Sequence, residues 1–460
     1  MNISDLDKYM SDRANCHLVG IGGVSMAPLA EVLHGMGLTI TGSDVNESPM
    51  IEHLRSLGIK VSIGHRPENI EGAKFVIRTA AARDDNVEIA AAREAGIPIF
   101  ERAQAWGYIM RSYTNAICIA GTHGKTTTTS MVTHIFMQAQ RDPTVMIGGT
   151  LPLIKAGHRI GSGNTIIMES CEYYNSFHSF SPTIAVILNI DNDHLDFFKT
   201  LDAVKESFRK FASLVPESGH IVCCGDDKNT MDALTPLGRG LCTFGLGDSC
   251  YIRAVDIVRD GHGSSFDVLC GGVKYAHIDL VVPGMHNVKN ALAACATAFL
   301  LGIPAQYAEE GLRSFTGAGR RFEFKGTLNG ARIYDDYAHH PGELHALIDT
   351  ACSLGYKRVI LAFQPHTYSR TKNLFEDFVK ELSRPDLVLL AEIYAAREKD
   401  VFGVSSKDLA AHIPGSEFYS SFEEMEARIR ELASPGDLII TVGAGDIYKV
   451  GEAVAEKPAS

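Results

Sequence analysis

Six consecutive residues, Gly121-Thr122-His123-Gly124-Lys125-Thr126, carry the clearest chemical signal in the chain. The apolar run from Ile117 to Ala120 comes directly before them, and a helical pattern begins directly after them. A glycine loop between a strand and a helix N-terminus turns several backbone N–H groups toward one point, where the helix dipole also favours negative charge. The loop is therefore predicted to bind the phosphates of ATP, with Lys125 at the outer phosphates and the Thr126 hydroxyl on Mg²⁺.

Polar side chains also follow two apolar segments downstream of this loop. One predicted strand ends at Glu169, and the buried run from Ile184 to Ile190 leads into Asp191, Asp193 and His194. The carboxyl ends of parallel strands meet at one edge of a sheet, so these groups are expected near the phosphate loop. Magnesium prefers oxygen ligands, which suits Glu169. His194 is either a further ligand or a partner of a neighbouring carboxylate.

A second glycine loop lies near the start of the chain. Gly20, Gly22 and Gly23 follow the apolar segment HLV, and Asp44 ends a second predicted strand about 20 residues later. This arrangement favours a pyrophosphate at the helix N-terminus and ribose hydroxyls at Asp44. The ligand is either NAD or the diphosphate of a nucleotide substrate. The phosphate loop around Lys125 favours the second reading, because hydride transfer does not need a triphosphate.

The C-terminal third of the chain has its own set of polar strand ends. A predicted strand from Arg332 to Tyr334 is followed by Asp335 and Asp336, then by Tyr337, His339 and His340. No third ligand follows the two histidines at zinc spacing. We therefore expect Asp336 and His339 to handle an amine and its protons.

Three arginines in this part of the chain suit anion binding. Arg320 and Arg321 precede the strand, and Arg370 follows Gln364 and His366 after a later one. Their guanidinium groups match carboxylates and phosphates in geometry and charge. Upstream, His286 and Asn290 are four residues apart and share one helical face, where they are expected to contact a nucleotide base or ribose. Asn287 is either a helix cap or a further contact.

Three segments of the chain, each with the order strand, glycine loop and helix, must position these groups. Each short apolar run is followed by a helical stretch, which predicts an α/β protein with parallel, right-handed βαβ units. The 460 residues suit about three domains of roughly 150 residues each. The predicted domains are a Rossmann-like unit at 1–110, a central P-loop ATPase unit at 111–316 and a second Rossmann-like unit at 317–460.

Composition excludes several classes of protein. The net charge of −12 argues against a surface for nucleic acid or an anionic membrane. The first ten residues lack the basic flank and apolar core of a signal peptide, and no apolar stretch reaches the ~18 residues of a membrane span. Ten cysteines without a CxxC pair are typical of reduced, cytosolic thiols. A cytoplasmic protein without membrane or nucleic-acid partners is expected.

Taken together, the chain resembles the ATP-dependent amide ligases of peptidoglycan synthesis, the Mur ligase family. The resemblance extends over nearly the whole length and is carried, in the family's order, by HLVGIGGVSM, GSD, GTHGKTTTT, SPTIAVILNIDNDHLD, GMHNVKNALAA, GAGRRFEFKG, YDDYAHHP, QPHTYSRT and YAAREKDVFGVSS. The chain departs from the family pattern at Cys171, where many relatives have aspartate, and at Thr367, where many have arginine.

The resemblance implies ligation of L-alanine to the carboxylate of UDP-N-acetylmuramate through an acyl phosphate, with ATP and Mg²⁺. It implies metal ligation by Thr126, Glu169 and His194, with Lys125, His194, His339 and Arg370 as catalytic groups. The remaining implied contacts fall into two sets. Nucleotide is contacted by residues 121–127 including Thr127, and by His286, Asn290 and Arg321; the other substrates are contacted by Gly20, Gly22, Gly23, Asp44, Asp336, Tyr337, His339, His366 and Arg370.

Other readings remain open from the sequence. A recycling ligase would join a whole peptide to the same sugar nucleotide, a dehydrogenase would use nicotinamide and no ATP, and a nucleotide sensor would not catalyse at all. The chain is expected to be a monomer or a weak homodimer.

Overall fold

The computed structural model describes residues 3–79, 81–259, 263–396 and 398–456. Within this part of the chain three separate sheets form. They follow one another along the sequence, and each carries helices on its faces. Short 3₁₀ helices are present at Pro67–Ile70, Tyr173–Ser179 and Thr235–Leu237.

The first sheet is entirely parallel, with strand order β3-β2-β1-β4-β5. Its strands are β1 (Cys16–Val19), β2 (Ile40–Asp44), β3 (Lys60–Ile63), β4 (Phe75–Arg78) and β5 (Ile99–Glu101). The accompanying helices are α1 (Ile3–Ser11), α2 (Ala27–Gly35), α3 (Pro49–Ser56), α4 (Val87–Glu94) and α5 (Arg102–Met110). The strand order reverses beside β1, which is where ligands bind in open α/β sheets.

The middle sheet has the order β15-β14-β13-β12-β11-β10-β6-β9-β7-β8. Its strands are β6 (Asn115–Ala120), β7 (Thr144–Leu151), β8 (Ala156–Arg159), β9 (Thr165–Glu169), β10 (Ile184–Ile187), β11 (His220–Cys224), β12 (Leu241–Gly245), β13 (Ile252–Arg259), β14 (Ser264–Cys270) and β15 (Val273–Leu280). The centre is parallel, whereas β8 and the β13-β14-β15 extension pair antiparallel. The βαβ pattern did not predict this extension.

The helices of the middle domain are α6 (Lys125–Gln138), α7 (Leu195–Phe198), α8 (Leu201–Ser213), α9 (Lys228–Leu234), α10 (Met285–Leu300) and α11 (Ala305–Arg313). Two of them, α6 and α10, are buried along most of their length. Small residues on both helices allow close packing beneath the phosphate loop. The position of the loop is therefore fixed by a rigid core.

The third sheet has the order β16-β17-β21-β18-β19-β20 and is parallel except at β16. Its strands are β16 (Glu323–Leu328), β17 (Ala331–Asp336), β18 (Arg358–Phe363), β19 (Leu387–Ala391), β20 (Glu417–Tyr419) and β21 (Asp437–Val442). The helices are α12 (Pro341–Ser353), α13 (Tyr368–Asn373), α14 (Phe375–Leu382), α15 (Ser406–Ala411), α16 (Phe422–Leu432) and α17 (Tyr448–Val454).

Apolar side chains pack on both faces of the third sheet. Leu361 and Val442 belong to the core on one face, and Ile360 and Ile439 belong to the core on the other. Alternate residues of a strand point to opposite faces, so a strand buried on both sides reads as a continuous apolar run. The segments RVILAF of β18 and DLIITV of β21 are continuous runs of this kind.

The first domain and the middle domain share one apolar core. Trp106 of α5 is 2% exposed and packs in the same cluster as Cys118 of β6 and Phe208 of α8. The Trp106 indole N–H also donates to the Ser25 carbonyl, at 3.3 Å. This shared core orients the first glycine loop relative to the second. No described helix is long and apolar enough to cross a bilayer.

Candidate active site

The phosphate loop is held by its neighbours in a shape that requires glycine. Gly121 and Gly124 have φ values of +146° and +83°, and a Cβ on Gly124 would lie 2.7 Å from Asn290 Oδ1. The backbone N–H of His123 donates to Asn189 Oδ1 at 2.8 Å, and Asn189 Nδ2 donates back to the His123 carbonyl at 3.1 Å. Asn189, just after β10, therefore clamps the loop from the next strand.

Lys125 lies over the loop, with its ammonium group on backbone oxygens. Its Nζ donates to the carbonyls of Gly121 and Thr122 at 2.5 and 3.1 Å, and it lies 3.1 Å from Glu172 Oε2. Burial opposes the charged form, but the Glu172 carboxylate outweighs it and raises the pKa of Lys125 above its usual range. The sequence reading missed Glu172. The one sequence feature that could have identified it is that it is a second carboxylate, three residues after Glu169.

Thr126 and Glu169, which the sequence predicts to bind magnesium, lie in contact. Thr126 Oγ1 donates to Glu169 Oε1 at 3.2 Å, and Glu169 Oε2 accepts from the Gly148 N–H at 2.7 Å. A Cβ on Gly148 would lie 2.6 Å from Glu169 Oε1, so a larger residue there would displace this carboxylate. A hydroxyl and a carboxylate beside a phosphate loop are suitable donors for Mg²⁺, which completes its shell with water and phosphate oxygens.

His194 lies among carboxylates at the start of the next helix. Its Nε2 is 3.7 Å from Asp193 Oδ2 and 3.9 Å from Glu172 Oε1, and its ring stacks on Tyr173 at 4.3 Å between centroids. These contacts match the alternative that His194 partners neighbouring carboxylates. Its role as a metal ligand stays a prediction.

A cavity of about 570 Å³ opens between the middle and C-terminal domains beside the phosphate loop. It brings together residues predicted separately in the two domains. Those that line it are His123, Gly124, Thr127, His286, Asn290, Arg321 and Asp336. The Lys125 loop and the Asp336 strand end therefore face one cleft. Asn287 does not cap α10, since its Nδ2 donates to the Pro283 carbonyl at 2.7 Å and Gly284 precedes the helix.

Glu343, which the sequence reading missed, connects three basic groups in this cavity. Its Oε1 lies 3.5 Å from His123 Nδ1 and 3.8 Å from Arg321 Nη1, while Oε2 lies 3.3 Å from His339 Nδ1. Burial opposes its ionisation, but the charged His123 and Arg321 groups outweigh burial and hold the pKa of Glu343 well below its usual range. The sequence feature that could have identified Glu343 is its place in the first turn of α12, the helix that begins at the proline of YAHHP.

The predicted amine-handling residues are oriented by backbone groups. Tyr337 O accepts a bond from His339 Nδ1 at 2.9 Å, which leaves Nε2 of that ring as the free acceptor. Burial lowers the pKa of His339 to about 3, so the ring is neutral near pH 7. Asp336 accepts from the N–H groups of Phe322 and Ala338, both at 2.8 Å. Burial raises the pKa of Asp336 to about 6.

Arg370 and His366 lie beside this pair. Arg370 Nη1 donates to the His366 carbonyl at 3.0 Å, and the rings of His366 and His339 are 5.8 Å apart. Burial, with the nearby Arg370 charge, lowers the pKa of His366 to about 4. The predicted substrate residues Tyr337, His339, His366 and Arg370 thus form one cluster.

Arg320, which we expected to bind anions with Arg321 and Arg370, instead stabilises the C-terminal domain. Its Nε lies 2.9 Å from Asp335 Oδ2, and its Nη atoms donate to the carbonyls of Gly445 and Gly443 at 3.0 and 2.6 Å. The guanidinium carbon also lies over the Tyr337 and Tyr448 rings, 4.9 and 4.6 Å from their centroids. With its donors used in this way, Arg320 is not a free anion ligand.

The first glycine loop forms a second cavity of about 550 Å³. Gly22 N donates to Asp44 Oδ2 at 2.9 Å, and a Cβ on Gly22 would lie 3.0 Å from that oxygen. Gly20, Gly23 and Asp44 line the cavity, together with His65. Sequence reasoning missed His65, which carries no recognisable motif.

Comparisons with known proteins identify the family. Three family models match in order: "Mur ligase family, catalytic domain" at residues 15–114, "Mur ligase middle domain" at 119–298 and "Mur ligase, glutamate ligase domain" at 320–445. A UDP-N-acetylmuramate–L-alanine ligase of Caldanaerobacter subterraneus is 46% identical over 98% of this chain and 99% of its own length. One from Acetivibrio thermocellus is 44% identical over 98% and 97%.

Solved structures show the same architecture. The UDP-N-acetylmuramate–alanine ligase of Thermotoga maritima has a TM-score of 0.78 and 29% identity, covering 96% of this chain and 98% of that one. A murein peptide ligase of Psychrobacter arcticus has a TM-score of 0.70 at 24% identity, over 96% and 98% of the two chains, and shows the fold alone. The predicted α/β fold with three domains is confirmed, and the chain belongs to the Mur ligase family.

Proposed function

We propose that the protein joins L-alanine to the carboxylate of UDP-N-acetylmuramate and converts ATP to ADP and phosphate. The names of the relatives that match almost end to end support this assignment, as does the sequence resemblance. The structural observation that carries it is the shared cleft, because His123 and Gly124 of the phosphate loop line the same cavity as Asp336 and Arg321.

The chemistry requires an activated acid, because a free carboxylate is a poor electrophile. A carboxylate oxygen of the sugar nucleotide attacks the γ-phosphorus of ATP, and the bond to the β,γ-bridging oxygen breaks to give ADP and an acyl phosphate. The amine of alanine then attacks the acyl carbon, and phosphate leaves with the C–O bond electrons. Lys125, on the phosphate loop, stabilises negative charge on the transferring phosphoryl group.

Mg²⁺ is part of the proposal. Thr126 and Glu169 would hold it, with His194 as the further predicted ligand, and it would supply charge neutralisation on phosphate oxygens. The donor set suits a hard cation, since the hydroxyl and the carboxylate lie 3.2 Å apart on adjoining elements.

Alanine is assigned to the cluster at the start of α12 and α13. Arg370 receives its carboxylate, and Asp336 with His339 faces its ammonium group. The Nδ1 bond to Tyr337 O leaves His339 Nε2 as the acceptor for a departing proton. Tyr337 and His366 border the same space, and His286, Asn290 and Arg321 are assigned to adenosine and phosphate.

The first cavity is assigned to the uridine diphosphate portion of the sugar nucleotide. Gly20, Gly22 and Gly23 allow backbone approach to the pyrophosphate, and Asp44 accepts from ribose hydroxyls. Asp44 is already oriented by the Gly22 N–H. We place the protein in the cytoplasm as a monomer or weak homodimer. Its ten cysteines are all free thiols.

Phosphate release by the purified protein tests the proposal. With ATP, Mg²⁺ and UDP-N-acetylmuramate present, amino acids are added one at a time, and L-alanine is expected to give the fastest release. A tripeptide is included as an alternative acceptor, because the recycling ligase predicts faster release with the peptide. Release without the sugar nucleotide, or no release with any acceptor, would contradict the assignment.

A further inference from the structure

Three donor atoms from two domains surround one point beside the phosphate loop. They belong to His123 and Asp191 of the middle domain and His340 of the C-terminal domain, and they lie within 4.8 Å of one another. A Cβ on Gly342 would lie 3.1 Å from His123 Nε2 and 3.4 Å from both Asp191 Oδ2 and His340 Nδ1. The side chains therefore converge on the space that residue 342 leaves open by being glycine.

The rings of both histidines are turned with one nitrogen inward. His340 Nε2 is 2.9 Å from the Asn192 carbonyl and so donates to it, which makes Nδ1 the acceptor nitrogen of the ring. Nδ1 accepts the Gly342 N–H at 3.2 Å, and a metal ion at the centre would replace this bond. His123 Nδ1 faces Glu343 Oε1 at 3.5 Å, and its Nε2 faces Asp191 Oδ2 at 3.8 Å. Histidines that bind metals have this same arrangement, with the outer nitrogen on a carbonyl or carboxylate.

Hydrogen bonds hold the backbone at each of the three donor residues. Asp191 N donates to Thr122 Oγ1 at 2.9 Å, and the His123 backbone is paired with Asn189. His340 precedes α12, where its Nδ1 accepts a long bond of 3.2 Å from the Gly342 N–H. Both ring nitrogens of His123 are buried, and neither has a hydrogen-bond partner among the described residues.

We propose that His123, Asp191 and His340 form a second divalent-cation site that takes a transition ion such as Zn²⁺ or Co²⁺ and links the two domains. Two imidazoles and one carboxylate are donors for such ions, whereas Mg²⁺ prefers oxygen alone. Ligand distances of about 2.0–2.2 Å require each donor to move inward by roughly 1 Å. The fourth position is left to water.

This site shares no side chain with the proposed magnesium site at Thr126, Glu169 and His194. It also differs from that site in spanning the cleft, since His340 belongs to the domain opposite the phosphate loop. The Asp191 and Glu343 carboxylates that attract a proton to His123 also attract a metal ion, which replaces the proton on Nε2. A bound ion therefore links the middle and C-terminal domains across the cleft.

Two substitutions test the site without relying on enzyme activity. Gly342→Ala keeps all three donors and places a methyl group at their centre, and alanine is compatible with the first turn of α12. His340→Ala removes one donor. His220→Ala, at the exposed start of β11, serves as the matched control. Circular dichroism and thermal unfolding in metal-free buffer establish that each variant folds.

Metal-free protein is titrated with Co²⁺ followed by visible absorption, and with Zn²⁺ followed by calorimetry, without nucleotide and with excess Mg²⁺ to occupy oxygen sites. Wild type and His220→Ala are expected to bind a single equivalent with the intense visible band of four- or five-coordinate Co²⁺. Both test variants are expected to bind at least about tenfold more weakly. Zn²⁺ is expected to raise the thermal midpoint of wild type but not of Gly342→Ala.

Equal affinities in wild type and both test variants would overturn the site, as would wild-type protein that binds neither ion at millimolar concentration. Because no substrate is present, these results do not depend on the proposed ligase reaction. Failure of phosphate release would contradict the proposed function alone.

Discussion

Arg370 Nη2 lies 3.3 Å from Asp193 Oδ1, and this contact joins the C-terminal domain to the loop after β10. The two side chains are only 12% and 9% exposed. Burial opposes a charged carboxylate, but Arg370 and His194 outweigh it and hold the pKa of Asp193 well below its usual range. The ion pair therefore fixes the guanidinium in the cleft between the two domains.

Replacing Arg370 by lysine should weaken alanine binding selectively. Lysine retains the charge that pairs with Asp193 but lacks the planar fork that holds a carboxylate at two points. We expect the KM for L-alanine to rise at least about tenfold, which corresponds to about 1.4 kcal/mol, with the KM for ATP changed less than about twofold. Steady-state phosphate release measures both. Equal increases in the two KM values would contradict the assignment of Arg370 to alanine.

Lys125→Ala should remove the ligation reaction. The ammonium group lies on the phosphate loop beside Glu172, and its loss leaves the transferring phosphoryl group without that positive charge. We expect kcat to fall by about 10² to 10³. ADP release that depends on both UDP-N-acetylmuramate and alanine is the measurement, with exposed Lys228→Ala as the control. Undiminished turnover would exclude Lys125 from the mechanism.

Glu169→Gln should change the dependence of activity on magnesium. The amide keeps the shape of the side chain, but it presents one oxygen and no charge to a cation next to Thr126. We expect half-maximal activity to require at least about tenfold more Mg²⁺. Titration of activity with Mg²⁺ at fixed ATP tests this, with exposed Glu310→Gln on α11 as the control. An unshifted titration curve would place the cation elsewhere.

Asp336 should make the stability of the protein depend on pH. Its pKa is about 6 in the folded protein, against about 3.9 in the unfolded chain. A raised pKa stabilises the fold when the group is protonated, so this contribution is complete below about pH 4 and is lost as the pH rises through about 6. Relative to Asp336→Asn, wild type should lose roughly 2 kcal/mol of unfolding free energy between about pH 4 and pH 7.

Urea unfolding at several pH values measures the free energy of unfolding of both proteins. The difference between the two values cancels the titrations that both proteins share. A difference that does not vary between about pH 4 and pH 7 would show that Asp336 titrates at its ordinary pKa.

Local patterns explain which parts of the structure were predictable from the sequence. Lys125 follows a glycine loop between a strand and a helix, and Glu169 and Asp336 are the last residues of β9 and β17. Such features extend over fewer than about 20 residues, where periodicity and turn residues are informative. The Mur ligase resemblance then predicted which residues of the separate domains serve one reaction.

Contacts between distant segments were not predictable in this way. Glu343 meets His123 across the cleft, and His340 meets Asp191, although nothing in the spacing of these residues links them. Two adjacent histidines without a third ligand nearby gave no metal signal, because the other donors come from another domain. Arg320 was misjudged for the related reason that its partners Gly443 and Gly445 are far away in sequence.

Gly319 and Arg320 are hydrogen-bonded to different domains. Gly319 N donates to the Thr150 carbonyl of β7 at 2.8 Å, whereas the Arg320 guanidinium is bonded to Asp335 and Gly443 of the third sheet. The polypeptide thus passes between domains over one residue step. If the cleft opens while both attachments hold, the C-terminal domain must pivot about the bonds between Gly319 and Arg320. His339 would then move with the C-terminal domain about this short connection, which limits the positions it can reach relative to the phosphate loop.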